Sequence, residues 1–149
     1  MRAVLQRVTR AQVVVAGEPV GEIGPGLLAL VGVQTGDTDV DAAYVAAKIA
    51  DLRLFGDADG KINRSLAQTG GAALVVSQFT LLGDCRKGRR PSFSGAAPPN
   101  EGRAGYENVV SGLRARGITV QTGIFQAEMA VSLTNDGPVT VLLDSRKTF

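Results

Sequence analysis

Residues 27–52, Leu27-Leu28-Ala29-Leu30-Val31-Gly32-Val33-Gln34-Thr35-Gly36-Asp37-Thr38-Asp39-Val40-Asp41-Ala42-Ala43-Tyr44-Val45-Ala46-Ala47-Lys48-Ile49-Ala50-Asp51-Leu52, read as a buried strand running into an amphipathic helix. Leu27 to Val31 shows no polar alternation, the pattern of a strand covered on both faces. Thr38 suits the cap of the helix, and Asp39 and Asp41 fall in its first turn, where the backbone dipole favours anions. Val45, Ile49 and Leu52 recur at i, i+4 and i+7 and mark the buried face.

Outward from this unit the pattern repeats. Ala72 to Leu82 is a second long apolar run, expected as a central strand. A second helix is expected with Asn100 as its cap, with Tyr106, Val109, Val110 and Leu113 on one face, and with Gly117 as its stop. Both ends of the chain are rich in β-branched residues. Ala3 to Val8 and Gln12 to Ala16 precede the turn-rich Gly17-Glu18-Pro19-Val20-Gly21, and Ile118 to Thr122, Phe125 to Leu133 and Val139 to Leu143 close the sequence. Phe125, Ala127, Met129, Val131 and Leu133 alternate with Gln126, Glu128 and Ser132, a one-sided strand pattern. The order ββ-(βα)2-βββ predicts an α/β fold: a mixed β-sheet, crossover helices on one side, and a second β layer from the β-rich ends.

A length of 149 residues suits one domain, 1–149, with no linker or repeat. With 44% apolar and 20% charged residues the chain is expected to be globular rather than disordered. Arg2, Gln6, Arg7 and Arg10 interrupt any secretory apolar core, and Leu27 to Val33 is too short to span a bilayer. A soluble, cytoplasmic protein away from membranes is the expectation. Histidine is absent and Cys85 is the single cysteine. Those two counts exclude Ser/His/Asp triads, Cys/His dyads, internal disulfides and zinc sites built from His or several Cys. No metal and no cofactor is expected, and Cys85 reads as structural or incidental. The net charge is only +2, yet 12 of the 16 cations are arginine, the residue suited to forked phosphate contacts. Composition bias in a chain rich in Ala, Gly and Val explains that excess equally well.

Four segments carry candidate chemistry. Asp57-Ala58-Asp59-Gly60-Lys61 resembles the start of a calcium loop, but Gln68 stands where the closing carboxylate belongs, so a tight turn is expected. Arg86-Lys87-Gly88-Arg89-Arg90 places four cations in five residues before Pro91-Ser92-Phe93. It reads either as a solvated loop or as a phosphate-contacting one. Ser77-Gln78-Phe79-Thr80 interrupts an apolar run with polar side chains, each costing about 1–3 kcal/mol if buried unpaired. Cross-strand hydrogen bonding answers that cost, and so does a strand end opening into a pocket. Asn135-Asp136-Gly137-Pro138 reads as a hairpin turn, with Gly137-Pro138 the kind of bond that reaches cis cheaply.

Ser77-Gln78-Phe79-Thr80-Leu81 together with Asn135-Asp136-Gly137-Pro138-Val139-Thr140 resembles the signature pair of the D-aminoacyl-tRNA deacylases. The opening Met1-Arg2-Ala3-Val4-Leu5-Gln6-Arg7-Val8, Lys87-Gly88-Arg89-Arg90-Pro91-Ser92-Phe93 and Gly123-Ile124-Phe125-Gln126-Ala127-Glu128-Met129 are similar to that family as well. The resemblance runs through the whole chain and implies a three-layer α/β/β fold and a homodimer. It implies hydrolysis of the ester between a D-amino acid, or mischarged glycine, and the 3′-terminal adenosine of tRNA.

In that reading the Gly137-Pro138 pair, in cis, reaches into the partner's pocket and excludes L side chains, with Arg7 holding the motif and contributing to the substrate pocket. Ser77, Gln78, Phe79 and Thr80 carry catalysis through backbone N–H groups and the Gln78 amide, with Thr80 in a positioning role. The tRNA's 2′-hydroxyl or a water is the agent of hydrolysis. Phe79, Phe125, Ala127 and Met129 line the adenosine pocket, and Arg86, Lys87, Arg89 and Arg90 are candidate contacts to tRNA phosphates. Two further function classes remain open from the residues alone: a non-catalytic module that binds tRNA ends, and a dimeric structural protein solvated by its arginines.

Overall fold

The computed structural model describes residues 1–149. Strand β1 (Arg2–Val15) turns into β2 (Glu18–Ile23), and β3 (Gly26–Gly32) returns antiparallel along the first half of β1, Arg2 opposite Gly32 and Val8 opposite Gly26. Helix α1 (Asp39–Asp51) follows, then the small hairpin β4 (Arg53–Gly56) and β5 (Ile62–Ser65), the single turn α2 (Leu66–Thr69), and β6 (Ala72–Ser77). A short 3-10 turn, Phe79–Leu82, leads by an irregular segment to α3 (Pro99–Ala115), β7 (Thr119–Thr122) and β8 (Ala130–Asp144). Strands β3, β6 and β7 run parallel, and β8 pairs antiparallel with β1 along nearly its whole length.

Leu27, Ala29 and Val31 of β3 face α1 and α3, inside a core of 23 buried residues that includes Val45, Ile49, Val109 and Leu113. Leu28 of β3 faces the other way, into a second cluster with Val8, Val13, Ile23, Leu74 and Val76. Burial on both faces is the reason these strands carry unbroken apolar runs. The second cluster is closed because β2 crosses over to pack against β6 and β7. Helices, sheet and returning β layer make the three-layer α/β/β fold expected from the order of elements. No helix is long and apolar enough to cross a membrane.

Local differences from the expected elements have physical causes. The two opening strands are one, β1, because the polar Thr9 and Arg10 mark register shifts in its pairing with β8 rather than a loop. Asn135 to Pro138 is not a hairpin: the strands expected on either side join as β8, and this segment bulges out of the β1 ladder opposite Arg7. Phe125 to Met129 is a turn rather than the start of a strand, with Gln126 at φ +64°. The half-buried positions Phe125, Ala127 and Met129 still alternate because one side of this segment faces the protein. Helix α3 starts at Pro99, whose fixed φ and missing N–H suit the first helical position, so Asn100 lies inside the first turn instead of capping it. Asp57 to Lys61 forms the tight turn expected, the Asp57 carboxylate accepting from the Asp59 and Lys61 N–H groups, each at 2.9 Å. α2 was not anticipated, although Ser65 and Gln68 form a capping box around it.

Candidate active site

β6 leaves the sheet at Ser77. Gln78 makes the last bond to β3, its N–H donating to the Val31 carbonyl at 2.7 Å, and the chain then tightens into the 3-10 turn. The N–H groups of Phe79 and Thr80 open that turn and have no acceptor within it. Above them the Gln78 Nε2 donates to Thr80 Oγ1 at 2.5 Å. The turn packs closely on β3 because residue 32 is glycine. A Cβ there would lie 2.6 Å from Leu82 Cδ2 and 2.8 Å from the Gln78 carbonyl oxygen.

A second wall comes from the turn after β7. Phe125 stacks at a tilt of 36° on Tyr106 of α3, ring centroids 6.1 Å apart, and the Arg103 guanidinium lies over its face at 4.6 Å. Tyr106 is itself pinned, its hydroxyl donating to the Val75 carbonyl of β6 at 2.8 Å. Burial pushes its phenol up to about 12. Phe93 completes the aromatic lining by meeting Phe79 edge to face, at 5.3 Å and 72°. Neither Arg103 nor Phe93 was singled out by sequence periodicity, since one sits on the solvent side of a helix and the other in a loop.

These walls enclose a cavity of about 650 Å³ at the C-terminal ends of β3 and β6, the usual ligand position in such sheets. Ser77, Gln78 and Phe79 line one side and Phe125, Ala127 and Met129 another. The polar interruption of β6 therefore marks a strand end opening into a pocket. No titratable side chain lines the cavity. What it offers a substrate is hydrogen-bond donors and acceptors of fixed orientation against aromatic and apolar surface.

Other expected site residues lie elsewhere. Thr80 is exposed beside the cavity, touching it only through Gln78. Arg7, expected to hold the Gly137-Pro138 motif and to contribute to the substrate pocket, lies under the β8 bulge that carries that motif and outside the cavity of its own chain, its guanidinium drawn there by the Asp136 and Leu54 carbonyls and the Asp136 carboxylate. Its Nε donates to the Asp136 carbonyl at 3.1 Å and pairs with the Asp136 carboxylate at 3.3 Å, while Nη1 donates to the Leu54 carbonyl at 2.5 Å. Gly137-Pro138 is a cis peptide, exposed on β8 and outside the cavity of its own chain. On the outer face Gln6 spans the bulge, donating from Nε2 to Asn135 Oδ1 and accepting from Thr140 Oγ1.

The basic segment forms an exposed loop closed at its base by paired backbone bonds between Asp84 and Ser92, 2.7 and 3.0 Å long. Arg86 is already spoken for: Asp84 takes its Nη2 at 2.7 Å, its Nε at 2.9 Å and its backbone N–H at 3.0 Å. These bonds hold the Asp84 carboxyl well below the usual carboxylate range. Lys87, Arg89 and Arg90 are exposed and make no ion pair.

The sequence matches the model of the D-Tyr-tRNA(Tyr) deacylase family over residues 4–144. It is 60% identical over 146 residues to a D-aminoacyl-tRNA deacylase of Heliobacterium modesticaldum, covering 98% of this chain and 97% of that one. It is 58% identical over the full length of both chains to the D-aminoacyl-tRNA deacylase of Desulfitobacterium hafniense. Among solved structures, the c-Myc DNA Unwinding Element Binding Protein superposes with a TM-score of 0.91 at 38% identity, covering 97% of this chain and 98% of that one. A probable eukaryotic D-amino acid tRNA deacylase shares the fold at a TM-score of 0.83 and 20% identity, over 95% of this chain and 97% of the other.

Proposed function

The chain belongs to the D-Tyr-tRNA(Tyr) deacylase family, and from that premise we propose that it hydrolyses D-aminoacyl-tRNA, releasing the free D-amino acid and reusable tRNA. The observation that carries this reading is the cavity. It joins the Ser77-Gln78-Phe79 segment to the Phe125–Met129 segment, is wide enough for an amino acid and a nucleoside, and presents no side-chain acid or base. Such a site suits an ester that needs its carbonyl held and its transition state stabilised more than it needs a protein nucleophile.

In the reaction, a water oxygen bonds to the ester carbonyl carbon, and the carbonyl electrons move onto oxygen. The N–H groups of Phe79 and Thr80 and the Gln78 amide are the donors to that oxyanion, and one such donor contributes roughly 100–1000-fold in rate. The tetrahedral species collapses by expelling the terminal ribose oxygen, which takes a proton as the carboxylic acid forms. The neighbouring 2′-hydroxyl of the tRNA, or a second water, relays the proton. Thr80, bonded to Gln78, orients that amide. Phe125 and Met129 supply the surface for the adenosine, with Phe79 opposite.

Selectivity in this reading comes from exclusion. Gly137 and Pro138 are exposed on β8 away from their own cavity, which supports their acting on a second copy of the chain in a homodimer. Set against the substrate's α-carbon, they leave room for hydrogen on one side, so D-amino acids and glycine fit while L side chains clash. The working place of such an enzyme is the cytoplasm, where tRNA is charged.

Hydrolysis of D-tyrosyl-tRNA and L-tyrosyl-tRNA by the purified protein, with EDTA present, tests the proposal. Fast loss of the D-ester alone supports ester hydrolysis, chiral exclusion and metal independence together. Equal loss of both sinks the filter, and loss of neither in the presence of tight tRNA binding leaves a binding module.

A further inference from the structure

We infer that the loop between Asp84 and Ser92 holds the phosphodiester backbone of the RNA strand that leads to the ester, through Lys87, Arg89 and Arg90 and not through Arg86. The identity of the ester rests on the deacylase reading; the charge argument does not. The loop is pinned where it leaves the domain by the Asp84–Ser92 pair of backbone bonds. The next residue, Phe93, lines the cavity and meets Phe79. The tip of the loop therefore stands in a set relation to the mouth of the cavity, only a few residues from its aromatic wall.

The charges on the loop are uncompensated. Between Cys85 and Asn100 the sequence has no acidic residue. Asp84 is consumed by Arg86, which binds it through two side-chain nitrogens and its own backbone N–H. Three like charges remain within four residues, all exposed and none ion-paired. A loop that only needed solvating would lose nothing by having an acid among them, whereas mutual repulsion is relieved by a polyanion. Their exposure on a tip, with no concave site around them, suits several phosphates spaced along a chain better than one small anion. Arginine's fork is the matching donor for phosphate oxygens. A cavity walled by aromatic rings beside a basic track is the arrangement for a single-stranded nucleic-acid end.

The test compares two esters, D-tyrosyl-tRNA and D-tyrosyl-adenosine, the second lacking every phosphate. In the triple variant Lys87→Ala/Arg89→Ala/Arg90→Ala, KM for the tRNA ester should rise on the order of tenfold or more, and its dependence on log salt should become shallower by about 2–3. KM and kcat for D-tyrosyl-adenosine should stay within about twofold, since no phosphate is left to lose. Asp84→Asn, which releases Arg86, should shift the tRNA ester the other way, lowering KM and steepening the salt slope. Equal losses on both esters would mean that the loop shapes the cavity, and an unchanged tRNA KM would mean that it touches nothing. Either result overturns the inference. If the wild-type protein hydrolyses neither ester, the deacylase reading fails separately. The loop is then judged by binding of uncharged tRNA, where an affinity unaffected by the triple variant, or matched by polyglutamate, overturns it.

Discussion

Arg7 lies hard against the α-carbon of Gly137: a Cβ built there would stand 2.7 Å from the Arg7 Nη2. The guanidinium has little freedom to withdraw, because Nη1 and Nε are bonded to the Leu54 and Asp136 carbonyls. Gly137 also sits at φ +119°, where L side chains are strained. Gly137→Ala therefore meets two costs at once, of which the backbone alone is about 1–3 kcal/mol. Thermal unfolding should show a Tm lower by roughly 2–4 °C per kcal/mol lost. The D/L ratio of kcat/KM should fall as the displaced arginine lets the bulge move. A variant as stable and as selective as the wild type would contradict the close packing.

Gln6 holds the same bulge from the outside, through Asn135 before it and Thr140 after it. Gln6→Ala removes both bonds, each contributing about 0.5–1.5 kcal/mol net. The expected result is a several-fold drop in D/L discrimination while hydrolysis of the D-ester is retained. Gln6→Glu keeps an acceptor for the Thr140 hydroxyl, and Asn135 can turn its amide to donate to the other oxygen. That conservative variant should restore most of the discrimination. Equal ratios in wild type and Gln6→Ala, measured on D- and L-tyrosyl-tRNA, would remove Gln6 from the positioning of the bulge.

Strands β3 and β6 and both long helices were legible because their burial is set by periodicity: Leu27 to Val31 is apolar on both faces, and Val45 and Ile49 recur on one. The polar Ser77-Gln78 break was legible too, since an unpaired polar group inside a sheet needs a destination. Asn135 to Pro138 was misread as a hairpin because turn-forming residues serve hairpins and bulges alike. The choice is made by Gln6 and Arg7 on β1, far away in sequence. Phe125 was legible as an inward-facing ring from its alternation with Ala127 and Met129, although the segment is a turn rather than a strand. Phe93 lies in an irregular loop, where no period announces which side faces inward, and Arg103 becomes informative only once Phe125 is seen beneath it.

Phe125 lines the cavity, with Tyr106 packed against it at a tilt and the Arg103 guanidinium over its ring. Stacking of a base on such a ring contributes about 1–3 kcal/mol. Phe125→Leu should raise KM for D-tyrosyl-adenosine by roughly 5- to 150-fold on that account, with kcat little changed. Arg103→Ala leaves the ring in place and removes only a contact of about 0.5–1 kcal/mol, so its KM should rise a few-fold at most. Steady-state kinetics on the phosphate-free ester separate the two. A loss confined to kcat in Phe125→Leu would assign the ring to the reacting group and away from the base.

Tyr106 ties this wall to the sheet, and its ionisation gives a pH signature. Its phenol ionises near 10 in an unfolded chain and is pushed up to about 12 by burial in the fold. The folded state therefore binds more protons than the unfolded state between those values, and stability falls as pH rises through that window. Below about 10 the contribution is fully present. Tyr106→Phe removes the titrating group together with its bond to the Val75 carbonyl. At pH 8 the variant should be less stable by about 1 kcal/mol, the usual net value of a hydrogen bond, since the Val75 carbonyl keeps its bond from the Gly123 N–H at 3.3 Å. Between pH 10 and 12 the wild type alone loses stability from this source, so the two denaturation midpoints should converge. A gap that stays constant across that range would mean that the phenol is not protected by the core, and that Phe125 is braced by packing without the Tyr106 to Val75 tie.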